Sequence, residues 1–228
     1  MQWCEDWRLL PQRVALHEPS ATAVLADAHL GYSAARQRLG DAIPWRDVAQ
    51  ELQPLCDAAK KHDLRRLFVA GDLFERGYEE PIHRQFLDFL DRLRIDFLGL
   101  VPGNHDRGLD KAVLALPLFP EGCNLEGWRI VHGDQPIGGA HVVMGHWHPA
   151  THWKRRKMPC FLTRGRHLVL PAFSLDAAGV EVHNEPRWQH WNCYAIDGNE
   201  IVHVRSQSIR AAHDSKRSGF YARPQNQR

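Results

Sequence analysis

The chain lacks any cysteine pair at C-x-x-C spacing: Cys4, Cys56, Cys123, Cys160 and Cys193 are odd in number and scattered. That pattern argues against a disulfide framework and a zinc knuckle, and leaves reduced, buried thiols as the expectation. No apolar run approaches the roughly 18 residues of a membrane-spanning helix. A surplus of one charge is missing too, since 29 basic and 27 acidic residues leave a formal +2. Affinity for nucleic acid would therefore have to come from a local patch, not from composition. The opening residues, Met1 to Trp7, carry acids where a signal peptide carries bases, and no apolar stretch follows, so a cytoplasmic location is expected. There is no internal repeat.

What is present is ordinary for a soluble globular protein, with 43% hydrophobic and 25% charged residues. A length of 228 residues fits one domain with a sizeable core, or a domain plus a tail. The reading places a domain over 1–205. The stretch 206–228, with Arg210, Lys216, Arg217, Arg223 and Arg228 and no apolar periodicity, reads as a basic disordered tail.

Along the chain, residues 7–17 suit a short hairpin or edge strand. Thr22–Ala26, Arg66–Ala70 and Phe97–Val101 are apolar runs too short for helices and read as buried strands. Helical spacing links Val48, Leu52, Leu55 and Ala59, where Pro54 predicts a kink or two shorter helices. The same spacing joins Ile82, Phe86, Phe89, Leu90 and Leu93. From Trp128 onward short strands follow closely, and Asp197-Gly198-Asn199-Glu200 reads as a hairpin turn. Alternating strands and helices, followed by a more antiparallel set, predict an α/β fold with ligands gathering at the carboxyl ends of strands.

At those ends stand Asp27-Ala28-His29, Gly71-Asp72 and Gly103-Asn104-His105-Asp106, followed by His132-Gly133-Asp134 and Gly145-His146-Trp147-His148. Carboxylate, imidazole and carboxamide are ligands for divalent cations, and without thiolate the set suits Mn, Fe or Zn. Two cations about 3.5 to 4 Å apart bind both oxygens of an in-line displacement at phosphorus and bring a bound water's pKa near 7. Such a pair needs a bridging carboxylate, and Asp72 is the best placed. Asp27 and His29, like His146 and His148, are two apart and would share a face in strand alternation. His105 points away from its neighbour Asn104, which suits a general acid or transition-state stabiliser, with Asp106 orienting it.

These five motifs in order resemble the calcineurin-like metallophosphoesterases over Leu25 to His148. The resemblance implies a four-layer αββα sandwich with two mixed sheets. It implies one metal held by Asp27, His29, Asp72 and His148, and a second by Asp72, Asn104, His132 and His146, with His105 as the catalytic histidine. The short spacing of His132 and His146, with Pro159 to Leu162 and Leu170 to Ser174, is similar to the bacterial DNA-ligase-associated phosphoesterases of the PdeM group and to SbcD-related proteins. That likeness implies a manganese-dependent phosphodiesterase, a DNA repair endonuclease, with ligase, helicase or nuclease partners. SbcD-type nucleases carry histidine three residues after the second-motif aspartate, where this chain has Glu75. Gly71 to Gly77 also resembles a Ser/Thr phosphatase motif in which the arginine, here Arg76, holds phosphate.

Competing readings are a phosphomonoesterase acting on nucleotides or phosphoproteins, and a non-catalytic scaffold of the same fold, against which the presence of His105 counts. The run Trp153 to Lys157 reads either as a track for a phosphate backbone, with Trp147 or Trp153 stacking on a base, or as a solvated hairpin tip. The ten histidines outside the motifs read as surface or core.

Overall fold

The computed structural model of the protein describes residues 1–109, 116–135 and 138–204. The tail expected over 206–228 lies outside these residues.

The first sheet opens with the expected hairpin, β1 (Trp7–Leu10) and β2 (Val14–His17), joined through Pro11-Gln12-Arg13. β2 pairs antiparallel with β3 (Thr22–Leu25), and β4 (Arg66–Ala70) and β5 (Asp96–Val101) continue in parallel, giving the order β1-β2-β3-β4-β5. The central strands are buried on both faces. Alternation sends Ala23, Leu25, Leu67 and Val69 into the core beneath the helices, and Val24, Ala26, Phe68 and Ala70 into the core between the sheets.

Four α-helices follow: α1 (Tyr32–Arg38), α2 (Val48–Glu51), α3 (Gln53–Lys61) and α4 (Glu80–Leu93), of which α2, α3 and α4 contribute to the core beneath this sheet. The pattern around Pro54 resolves as two short helices. α2 starts with a capping box, in which the Asp47 carboxylate accepts from the Gln50 amide, and Pro54 sits in the first turn of α3 where its missing N–H costs nothing. Helix α4 buries Ile82, Phe86, Phe89 and Leu90, the predicted face, and stops at Arg94 in a left-handed conformation. Helix α1 was not expected, because its seven residues are mostly polar and only Ser33 and Ala35 are buried.

The second sheet comprises β6 (Cys123–Leu125), β7 (Trp128–Val131), β8 (Val142–Met144), β9 (Pro149–Trp153), β10 (Arg156–Arg164), β11 (His167–Val169) and β12 (Val180–Glu181). Their order is β12-β9-β10-β11-β8-β7-β6, and the hairpin β13 (Asn192–Asp197) and β14 (Glu200–Val204) attaches to β10. The sheet is mixed, with β8 parallel to both β7 and β11 and β10 antiparallel to its neighbours. Asp197 and Glu200 pair across the turn foreseen at Gly198. Strand β12 stops at Glu181, and Val182–Asn184 forms a 3-10 turn.

The two sheets meet over Trp7, Phe68, Trp128, Phe161 and Leu170. Helices α2, α3 and α4 thus lie on the first sheet, while Val182 of a 3-10 turn packs into the core of the second. The second sheet's outer face is covered by Trp147, Trp153, Trp188 and Trp191. The result is the predicted α/β class with two mixed sheets, and the motif-bearing loops issue from the strand ends of both.

Candidate metal centre

Asp27 and His29 leave β3 in a turn that belongs to no strand. The turn is tied to the loop after β4, with the Asp27 amide donating to the Gly71 carbonyl at 2.9 Å and the His29 amide to the Asp72 carbonyl at 2.9 Å. Strand alternation therefore does not bring Asp27 and His29 together. Both are in left-handed conformations, at φ 56° and 49°, as are Asp72 at 50°, His146 at 69° and His148 at 43°. Such backbone costs a non-glycine residue on the order of 1 kcal/mol, so five instances in one cluster mark a site where side-chain placement outweighs strain.

Close packing of the loops follows from three glycines. A Cβ at Gly71 would lie 1.9 Å from His132 Nδ1, one at Gly103 2.2 Å from Asp72 Oδ1, and one at Gly145 2.3 Å from Ala26 Cβ. These motif glycines let imidazole and carboxylate pass against bare backbone.

The donor atoms converge in two overlapping groups. Asp27, His29 and His148 form one, with His148 Nε2 3.4 Å from Asp27 Oδ1. In the other, His132 Nε2 is 3.6 Å from Asp72 Oδ2, 3.2 Å from Asn104 Oδ1 and 3.1 Å from His146 Nδ1. Asp72 falls within reach of Asp27 and His132 on one side and of His29 and His105 on the other. The eight residues expected to hold metal or act in catalysis, Asp106 aside, thus stand around one centre.

Second contacts fix the rings. His132 Nδ1 lies 3.2 Å from the Ala70 carbonyl, which only accepts, so Nδ1 carries the proton and Nε2 presents a lone pair to the centre. His105 Nδ1 lies 2.8 Å from the Glu75 carbonyl, and by the same reasoning donates to it. The His105 amide donates to Asp72 Oδ1 at 2.8 Å, and the His146 amide to Asp27 Oδ2 at 2.9 Å. Asp106 does not orient the His105 ring as expected. Its buried carboxylate accepts from the Gly103 amide at 2.9 Å and the Phe74 amide at 3.0 Å, clamping two motif loops together. Glu75, whose backbone carbonyl holds His105, is the functional contact that a list of side chains could not reveal. Arg76 is exposed beside it and makes no ion pair among the described residues.

The electrostatics suit a cation. Asp27 and Asp72 are fully buried, yet their ionisable partners among the described residues are histidines, with no lysine or arginine. Buried carboxylates without a cation are costly. His29 is buried with neither ring nitrogen in a hydrogen bond among the described residues, although Glu75 Oε2 stands 3.1 Å from Nδ1, off the line of a bond. Burial pulls the His148 pKa down, but the Asp27 hydrogen bond and the charges of Asp27, Asp72 and Glu75 outweigh it and raise the net value. His146 moves the other way, lowered by burial and by His132. The residues fit a pair of divalent cations on three counts: two dry carboxylates, an orphaned imidazole, and a donor set of oxygen and nitrogen.

Comparison with known proteins agrees with this chemistry. No curated protein matches the chain. The crystal structure of the Pseudomonas putida nuclease MPE superposes with a TM-score of 0.69 at 22% identity, covering 87% of this chain and 94% of that one, and at that identity it speaks to the fold. The model of the calcineurin-like phosphoesterase family matches residues 21–155, more than half of the sequence and every motif described above. The chain belongs to the calcineurin-like phosphoesterase family.

Proposed function

We propose that the chain is a two-metal-dependent phosphodiesterase whose substrate is nucleic acid. The observation that carries this reading is the position of Asp72, a buried carboxylate within reach of Asp27 and His132 on one side and of His29 and His105 on the other. One ion would be held by Asp27, His29, Asp72 and His148, the other by Asp72, Asn104, His132 and His146. When bound, such a pair supplies Lewis-acid polarisation of phosphoryl oxygens and an activated water at neutral pH. Two carboxylates against two dications leave a positive centre, which attracts a phosphodiester. Oxygen and imidazole donors without thiolate suit manganese, iron or zinc, and the resemblance to the DNA-ligase-associated phosphoesterases implies manganese.

The chain's own residues divide the remaining work. His105, held through Nδ1 by the Glu75 carbonyl, keeps Nε2 free to give a proton to the leaving oxygen or to steady its charge. Asp106 is a positioning residue, since its bonds to Gly103 and Phe74 set the loop that carries Asn104 and His105. Arg76, exposed next to Glu75, is placed to meet a phosphate approaching from solvent.

Support for nucleic acid comes from the flank of the centre. Lys154 and Arg155 form the turn between β9 and β10, a basic hairpin tip six residues beyond His148. Trp147 lies between the two histidines of its motif with the Arg187 guanidinium 4.3 Å from its ring centre. The printed name of the Pseudomonas putida structure, a nuclease, points the same way.

The test is hydrolysis of bis-p-nitrophenyl phosphate and p-nitrophenyl phosphate by manganese-reconstituted protein, with His146→Ala as the control for contaminating enzymes. Diesterase activity that exceeds monoesterase activity and disappears in the variant supports the reading. Dominant monoesterase activity would replace it with a phosphomonoesterase.

A further inference from the structure

A cavity of about 200 Å³ opens beside the metal centre, with His148 in its wall. Its sides are Met158 and Pro159 from β10, Ala172 and the segment Ala177-Ala178. Leu175 stands at its lip with 47% of its surface exposed, one of few large apolar side chains so placed among the described residues. Two cations complete the lining. Arg13, at φ 63° in the β1–β2 turn, donates Nη1 to the Ala172 and Ser174 carbonyls and so braces the wall, and its Nε and Nη2 have no partner among the described residues. Lys157 donates to the Gly179 carbonyl at 2.7 Å and keeps two further N–H donors.

None of these residues belongs to the donor groups of the metal centre except His148, so the proposed hydrolysis does not account for the cavity. Its size and chemistry suggest an occupant. An apolar cavity of roughly 150 Å³ accepts a benzene ring, so this one has room for a single planar ring. The side chains of Met158, Pro159, Ala177 and Ala178 offer apolar contact to the faces of such a ring, while ammonium and guanidinium donors suit a ring edged with oxygen acceptors. A phenyl ring would leave those donors unused. A pyrimidine base carries both features, and its phosphate would sit on the His148 side.

We propose that this cavity binds the nucleobase next to the scissile phosphate, holding the ring between Met158-Pro159 and Ala177-Ala178 with Lys157 donating to an exocyclic oxygen. The proposal rests on the phosphodiesterase reading for its substrate, and its test separates the two. Thymidine 5′-p-nitrophenyl phosphate and methyl p-nitrophenyl phosphate share the reacting group and differ in the base. The ratio of their kcat/KM values is expected to favour the nucleoside at least about tenfold. In Ala178→Trp, where an exposed position fills the cavity, that ratio is expected to fall towards one, and in Lys157→Gln to fall about threefold. Thymidine itself, followed by saturation-transfer NMR on metal-free protein, is expected to bind the wild type and not Ala178→Trp.

Equal ratios in the wild type and both variants would overturn the proposal, as would thymidine binding that survives Ala178→Trp or is absent from the wild type. Tyrosine amide competing as well as thymidine would reassign the cavity to a phosphoprotein side chain. Thymidine binding that Ala178→Trp abolishes, with no turnover of either diester, would uphold the cavity and sink the diesterase instead.

Discussion

The backbone N–H of His105 donates to Oδ1 of Asp72 across 2.8 Å. The carboxylate that lies between His29 and His132 is thereby oriented by the residue whose ring stands beside it. In the proposed reaction, placement of the ions and placement of the imidazole that handles the proton become one geometric problem, solved by the short loop Gly103 to Asp106. The bond is made by backbone, so substitution of the His105 side chain leaves it in place.

Replacing His105 with alanine should therefore separate chemistry from metal binding. The account predicts a fall in kcat of about 10²- to 10⁴-fold with the metal content measured by elemental analysis unchanged. Loss of metal together with activity would make His105 a structural ligand.

The orphaned nitrogens of His29 predict a split in stability. Without metal, His29→Ala relieves buried polar atoms that have no partner, so the variant should unfold within about 1 kcal/mol of the wild type. With manganese in thousandfold excess over its Kd, the wild type should gain about 4 kcal/mol, and the variant should lose most of that gain. Parallel thermal shifts in the two proteins would contradict the assignment.

Gly71 and Gly40 share a φ of +92°, but a Cβ at Gly71 meets His132 Nδ1 at 1.9 Å and one at Gly40 meets nothing within 4 Å. Alanine at either carries the same backbone strain, on the order of 1 kcal/mol. Gly71→Ala should in addition displace His132, lower the unfolding free energy further and weaken metal binding by at least about tenfold, since losing even a contact that orients a ligand commonly costs 10- to 100-fold. Calorimetric titration of both variants with manganese checks this, and equal behaviour would refute it.

Glu51 supplies a pH signature remote from the donor atoms. Its buried carboxylate accepts from the Gly31 amide through Oε2 at 2.9 Å, while Oε1 has no partner among the described residues. Burial pushes its pKa up to about 7, against the pull of the Gly31 hydrogen bond. Between its ordinary value near 4.5 and about 7 the folded protein holds a proton that the unfolded chain has released. Stability from this group therefore falls as pH rises through that window. Glu51→Gln keeps an acceptor for Gly31 and removes the titration. Its advantage over the wild type should grow by about 1 to 3 kcal/mol between about pH 5 and pH 8, at about 1.4 kcal/mol per pKa unit. Denaturant unfolding of metal-free protein at the two pH values measures this, and parallel curves would contradict it.

Much of the fold was legible because its central strands are buried on both faces. Thr22 to Leu25 and Arg66 to Ala70 appear as short apolar runs, and each delivers its aspartate within two residues of its end. Strand β10 was missed because Arg156, Lys157 and Pro159 break any apolar run, and helix α1 because a short, mostly polar segment offers no stripe. The donor set was legible as residue types in order, but its geometry was not. Left-handed turns at Asp27, His29, His146 and His148, not strand alternation, point the side chains inward. The partner of His105 is a backbone carbonyl, which every residue possesses, and the Arg13 contact with Ala172 spans 159 positions. Neither leaves a trace in composition or spacing.

The most direct test of the central claim is the metal stoichiometry and diesterase rate of Asp72→Asn beside the wild type. Manganese titration of the wild type should give two ions per chain with turnover of bis-p-nitrophenyl phosphate. The substitution removes the charge proposed to serve both ions, so fewer than two ions should bind and turnover should fall by at least about 10²-fold, about 2.7 kcal/mol of barrier. Two ions retained with undiminished turnover would show that Asp72 does not bridge a metal pair.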